Sequence, residues 1–548
     1  MKAGILVSFL FVSVFFSCSQ KQHADFVVHN AVVYTADSAF ATTTAFAVKD
    51  GKFLGRGTDE EIFSKYESDN KIDLQGKPVY PGFIDAHCHF LYYGLGIAEV
   101  NLVGTKSFEE VIKKLIHEGQ CNKSRWIKGR GWDQNDWANT SYPDKEKLDS
   151  LYPDVALFLK RIDGHAALVN SETLRRAGIT TSTKVDGGKI EIKNGKLTGI
   201  LIDNAMEIVE KIIPAPSDLQ LINALQLAEK NCFSAGLTTV DDAGLNANEV
   251  HMIDSLQKSG LLKMRIYAML TPNPENDKKY FGRENGTYKT ERLNVRSVKL
   301  YADGALGSRG ACLLEPYTDM PDQQGFLLNS AEYYRKICQQ CFTNGFQVNT
   351  HCIGDSANRL FLNLYGEFLK SKNDKRWRIE HAQVVNENDF ELFDKYSVLP
   401  SVQTSHATSD MYWSKDRIGE NRMKGSYAYK RLMEENGLLA NGSDFPVESI
   451  QPILGFYAAV SRKDKTGYPE GGFQKDQALS REQALLSMTL WAAFANFEEH
   501  EKGSIEAGKY ADFVVLNQDI MKIQEDKIPE AKVLKTYIHG ELVFLEKE

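Results

Sequence analysis

The chain has 548 residues, 42% of them hydrophobic and 25% charged, with a formal net charge of −8. That is the balance of an ordinary globular protein with ample core, and the pI of about 5.9 argues for no unusual partner. No Lys/Arg run offers a footprint for phosphates, so no nucleic-acid partner is expected.

In chain order, the first element reads as an address. Lys2 precedes an almost wholly apolar run, 5–16, which ends at Ser17-Cys18 before polar residues. A run this short suits a signal-peptide core and not a membrane span. A small residue before Cys18 is similar to a bacterial lipoprotein signal, although Phe15 stands where that signal usually has Leu. The expectation is a signal over 1–18 with Cys18 lipidated, the protein exported and held on a membrane by lipid. The alternative is a plain secretory peptide with a chance cysteine. Seven cysteines remain after Cys18, an odd number at scattered spacing, which does not suit a disulfide framework. Cys338 and Cys341 lie in a helix-like stretch without a second pair, and are read as core or half-buried helix residues.

Short alternating strands with glycine turns occupy 26–57 and return at 508–516 and 533–544. Neither end could bury a strong core alone. One composite β-sandwich from 22–78 and 500–548 is therefore expected, with the remainder, 79–499, inserted between. That remainder alternates apolar runs with amphipathic helical stretches such as 219–235, 331–343, 358–370 and 387–396. Strands are predicted over 82–86, 238–242, 264–270, 296–301, 346–351, 377–381, 398–402 and 438–444. Eight strands with helices between them predict an α/β fold, a closed (β/α)8 TIM barrel. The gap after the first strand is too long for a crossover. Residues 90–235 are read as an insertion over the barrel mouth, with a helix over 107–118, strands over 126–129 and 155–160, and a hairpin over 189–192 and 197–202.

The chemistry gathers at strand ends. His87 and His89 are separated by one residue, and side chains two apart on a strand point the same way, so both can bind one ion. His351, His381 and Asp444 end three further predicted strands, and Lys299 lies near the end of another. The C-terminal ends of barrel strands converge on one face, so four of the twelve histidines share one mouth, which points to metal.

These motifs together resemble the amidohydrolase superfamily, in particular the branch called amidohydrolase family 3. The resemblance runs from Phe26 almost to the C-terminus. It is carried by the segment Pro81 to His89, by Gly131-Trp132-Asp133-Gln134 and by Asp163-Gly164-His165. Further matches are Lys299 with Asp303-Gly304, His351 to Asp355, Arg378 to Ala382 and Gly442 to Pro446.

The resemblance implies two divalent ions, zinc being the metal expected. His87, His89 and Asp444 would hold one ion, His351 and His381 the other, and a carbamylated Lys299 would bridge both. Asp444 would also move the proton between water and the leaving nitrogen. The alternatives are an unmodified Lys299 paired with an acid or substrate, and a helix N-cap role for Asp444. For substrate, the resemblance places His165 and Trp132 at the pocket, and Asp303 and His406 are further candidates. Asp133 and Asn170 also lie in the insertion. Trp132 reads equally well as a core aromatic, and Arg309 as a residue tying down a loop. Tyr92, Tyr93, Tyr412 and Trp413 would form an aromatic rim if their loops met. The activity implied is hydrolysis of a small amide-type substrate such as an N-substituted formamide or N-acyl compound. Alternatives are a cyclic amide or deamination substrate, or a lipid-anchored solute-binding protein. A homodimer is the oligomer considered.

Overall fold

The computed structural model describes residues 21–119, 126–281 and 287–547. Cys18 and the apolar run before it lie outside the described residues. Among the described residues, no helix is long and apolar enough to cross a membrane.

Eight parallel strands form the body: β1 (Phe83–Cys88), β2 (Leu237–Leu245), β3 (Arg265–Leu270), β4 (Leu293–Tyr301), β5 (Gln347–Cys352), β6 (Arg378–His381), β7 (Leu399–Val402) and β8 (Ala440–Asn441). Each pairs in parallel with the next in sequence, from β1 to β8. The seam between β8 and β1 is joined at its mouth, where Asp444 N–H donates to the His87 carbonyl at 2.7 Å and His89 N–H to the Phe445 carbonyl at 2.8 Å. The result is a TIM barrel, as the alternation of apolar runs and helices implies.

The helices between strands begin and end on local signals. Ser217 and Gln220 form a capping box before the helix Asp218–Ser234. Ser330 caps Ala331–Asn344, which stops at Gly345 in the left-handed region. Cys338 and Cys341 sit on that helix's buried face.

Strand β8 is shorter than the seven residues the sequence suggests. It stops at Asn441 because Gly442 passes too close to β1. A side chain there would place its first carbon 2.4 Å from the His87 backbone nitrogen. Asp444 then turns at φ 58°, a conformation costly for a residue other than glycine.

Between β1 and β2 the chain builds a second sheet. It runs in the order Val100–Asn101, Trp126–Trp132, Ala156–Arg161, Ala166–Val169, Lys196–Asp203, Gly188–Lys193. Strands 100–101 and 166–169 escape the sequence reading because they are only two and four residues long. Outside the barrel, a four-stranded sheet is made of residues from 26–73. A six-stranded sheet interleaves chain ends, in the order Glu541–Leu545, Val533–Ile538, Phe513–Leu516, Pro78–Pro81, Val32–Tyr34, Thr42–Thr43. Phe26, Phe46 and Val48 from one sheet share a core with Val33, Val79, Phe513 and Tyr537 from the other.

Candidate metal centre

The barrel axis below the mouth is polar. Arg378 on β6, fully buried, donates to Asp241 on β2 at 2.9 Å, and Asp241 also accepts from Asn496 at 2.6 Å. Above this layer, Asp85 accepts the N–H groups of His87 and Ser443 at 3.2 and 3.0 Å, and the Ser443 hydroxyl at 2.6 Å. Asp85 thus ties the end of β1 to the turn after β8, the two segments that carry His87, His89 and Asp444.

Three imidazoles at the mouth are oriented from behind. His87 Nδ1 faces a Glu380 oxygen at 2.6 Å, His89 Nδ1 the Ala243 carbonyl at 3.0 Å, and His381 Nδ1 the Gln403 side-chain oxygen at 2.5 Å. Each partner is an acceptor, so each Nδ1 carries the proton. In the neutral ring every Nε2 therefore presents a lone pair. Burial keeps His87 below its ordinary pKa and His381 well below it, consistent with neutral rings.

Those lone pairs meet another acceptor. Asp444 Oδ1 lies 3.2 Å from His89 Nε2 and 3.7 Å from His87 Nε2, yet this buried oxygen has no hydrogen bond. Ligand atoms of His87, His381 and Asp444 all lie within 4.8 Å of one another. An anionic oxygen facing nitrogen lone pairs is stable only with a cation between them, so the donor set fits a metal ion. This tightest group crosses the expected partition, which placed His381 with His351 and not with His87.

His351 ends its ring 4.5 Å from that of His381, and its Nε2 lies 3.5 Å from the Gly304 carbonyl. Lys299 points inward from β4. Its Nζ lies 2.9 Å from His87 Nε2, and among the described residues no carboxylate lies within ion-pair distance of it. Burial draws its pKa down to about 8. At the end of β6, His381 and Ala382 both adopt positive φ, 71° and 42°, a bend that aims the imidazole into the mouth.

The four residues expected at substrate separate into two pairs. His406 stacks beside His381 with ring centroids 5.8 Å apart, and its Nε2 is buried, without a hydrogen bond, 3.9 Å from Asp444 Oδ2. His165 reaches in from the insertion, its ring 4.9 Å from that of His351 and its Nδ1 held by Asp203 at 2.6 Å. Trp132 does not line the mouth: it is 1% exposed in the insertion's own core, with its indole N–H donated to the Leu159 carbonyl. Asp303 is likewise spent on the backbone, accepting the N–H groups of Cys312, Ile353 and Gly354. It fixes the turn after β5 behind His351 and does not face substrate.

The expected aromatic rim is dispersed. Tyr93 hydrogen-bonds Asn231 and packs on Phe445, while Tyr412 stacks on Tyr468. Tyr92 remains near His89, at 6.5 Å between rings. Arg309 does tie down a loop, through Asp319. Glu380, Gln403, Asp85 and Asp203 are the functional residues that motif spacing misses. Gln403 and Asp203 act on partners 22 and 38 positions away, whereas Glu380 and Asp85 lie beside His381 and His87 in quoted motifs but bind their main partners across the barrel.

A family model described as amidohydrolase family matches residues 71–544. The chain is 31% identical to the "Putative amidohydrolase YtcJ" of Bacillus subtilis (strain 168), covering 94% of this chain and 98% of the relative. It is 24% identical to the N-substituted formamide deformylase of Arthrobacter pascens, over 95% and 98% of the two chains. Among solved structures, an uncharacterized metal-dependent hydrolase from Pyrococcus horikoshii OT3 matches with a TM-score of 0.75 and 28% identity, covering 91% of this chain and 99% of that one.

Proposed function

From the premise that this chain belongs to the amidohydrolase family, we propose that it hydrolyses a linear amide-type C–N bond in a small molecule, such as an N-substituted formamide or N-acyl compound. The observation that carries this reading is the acceptor-only cluster of His87, His89, His381 and Asp444. The formamide deformylase relative supports the substrate class.

In this reading the site holds two divalent ions, zinc by preference. His87, His89 and Asp444 would hold one and His351 and His381 the other, and Lys299, as a carbamate, would supply oxygen ligands to both. When bound, such a pair lowers the pKa of a water between them and polarises a substrate carbonyl. Lys299 suits carbamylation because burial favours its neutral amine, the form that adds to CO2, and outweighs the opposing pull of Glu380 and Asp444. Asp444 Oδ1 faces the imidazole nitrogens, which leaves Oδ2 to accept the proton of the attacking water and return it to the leaving nitrogen. His406 and His165 flank the substrate on opposite sides. Glu380 and Gln403 keep the ligand imidazoles in the tautomer that offers Nε2.

The lipoprotein reading of the N-terminus adds an address: export, and attachment to a membrane through Cys18. The catalytic reading is tested on protein produced with zinc and bicarbonate. Metal analysis should give about two ions per chain. A screen of N-formyl and N-acyl amines should release acid and amine, with Asp444→Asn inactive as control. Protein without metal under those conditions would overturn the reading, as would release of ammonia alone.

A further inference from the structure

We propose that Arg130 selects the substrate, by receiving a carboxylate carried beside the scissile amide. The proposal deepens the amide-hydrolase reading above and rests on it.

Four arginines stand where the insertion meets the barrel mouth, and three of them have a carboxylate partner. Arg161 is held between Asp133 and Asp163, and Arg309 and Arg417 share Asp319. Arg130 differs. Among the described residues no carboxylate comes within ion-pair distance of its guanidinium, and its one hydrogen bond runs from Nη2 to the Ile162 carbonyl at 2.7 Å. Its Nε is buried and has no partner. A guanidinium offers five donors in a planar fork and does not lose its charge. Leaving most of them unmet in a partly buried place is costly, so an anion is missing from the arrangement.

The position points to that anion being substrate. Arg130 sits at the end of the strand Trp126–Trp132, in register with Lys160 of the neighbouring strand. Lys160 in turn pairs with Ala167, two residues beyond His165. His165 lies immediately before that strand, which begins at Ala166. The guanidinium lies beside Gly164, the residue before His165 in the chain. A side-chain carbon at Gly164 would lie 3.8 Å from Nη2 and 3.9 Å from Nη1. His165 itself packs on His351 in the metal centre. Burial disfavours the charge of Arg130, and Asp444 is the first of the acids that oppose this. A substrate amide between the imidazoles would thus hold an adjacent carboxylate against the fork, where a bidentate pair is the natural fit.

The test uses a matched pair on the zinc-loaded enzyme: N-formylphenylalanine, in each enantiomer, and N-formylphenethylamine, which lacks only the carboxylate. The wild type should prefer one enantiomer of the acid, by about ten- to a hundredfold in kcat/KM. Arg130→Met should remove that preference through KM and leave turnover of the neutral amide intact, which also reports correct folding. Arg130→Lys should recover part of it. A wild-type preference for the neutral amide, or equal loss on both substrates in Arg130→Met, would overturn the proposal. If neither amide is cleaved, the reaction reading has failed for formamides, and calorimetric binding of N-formylphenylalanine decides the role of Arg130 separately. Binding weakened at least about tenfold in Arg130→Met supports it, and unchanged binding rejects it.

Discussion

His87 is held by a carboxylate 293 positions away, and the quality of the metal centre depends on that contact. Glu380→Gln keeps the size of the side chain but lets it offer an N–H as easily as an oxygen to His87 Nδ1. The expected outcome is a loss of about 10–100-fold in zinc affinity, read by chelator competition, with a matching fall in turnover. Unchanged affinity would mean that Glu380 serves only Arg378. Gly442→Ala tests the neighbouring seam. The added carbon cannot fit 2.4 Å from the His87 backbone, so β1 and β8 must part. A lower melting temperature together with weaker metal binding is expected, since the same turn delivers Asp444. At this scale the gathering of His87, His89, His351, His381 and Asp444 at one mouth was legible, because histidine and aspartate at the ends of apolar strands contribute little to packing and much to a shared polar mouth. Trp132 and Asp303 were misread for a physical reason. A motif reports that a residue matters to a region, but burial and backbone hydrogen bonds decide what it touches.

Among elements, the barrel strands were legible as apolar runs of five to seven residues bounded by polar ends, and seven of them kept that extent to within a few residues. β8 did not, because a close approach across the seam is invisible in one strand's own sequence. The insertion was legible as a gap, but its six-stranded order was not, since pairing between short strands leaves no periodic trace. Charge braces it: Arg161 ties Asp133, Asp163 and Gln134 together within the insertion, while Arg417, outside it, reaches both Asn135 and Asp319. Arg161→Met would leave two carboxylates without their cation in a mostly buried place. A local destabilisation of about 3–5 kcal/mol follows. Hydrogen exchange should quicken across 126–203 while the barrel strands stay protected. Uniform quickening throughout would show that the insertion has no stability of its own to lose.

For the whole molecule, acid is the condition to examine. Asp512, before the strand Phe513–Leu516, accepts from Arg265 Nε at 2.6 Å and from His539 N–H at 2.7 Å, joining the terminal sheet to β3. Burial opposes its ionisation, yet Arg265 holds its pKa below the ordinary value. A carboxyl depressed on folding stabilises fully above its unfolded pKa of about 4, and that contribution fades as pH falls through the folded value. Asp512→Asn should therefore melt lower than the wild type at pH 7, and the gap should narrow below about pH 4. A gap that does not change with pH would remove the ion pair from the account. Metal acts on the same quantity. A chelator should lower the melting temperature of the zinc-loaded protein, because an ion that binds only the folded state stabilises it by mass action.

The interleaved sheet has one further consequence, for how the chain comes to be folded. The strand Phe513–Leu516 lies between Val533–Ile538 and Pro78–Pro81, and Val514 faces Tyr80 across that junction. Pro78–Pro81 runs into β1, which brings His87 and His89 to the mouth. During synthesis, the first of these strands emerges long before the partner that covers its edge exists. Until the last tenth of the polypeptide is made, that edge stays open to wrong pairing. His87 and His89 are thus made long before the strand that completes their frame, so a nascent chain should bind metal only once residues 513–516 have been made.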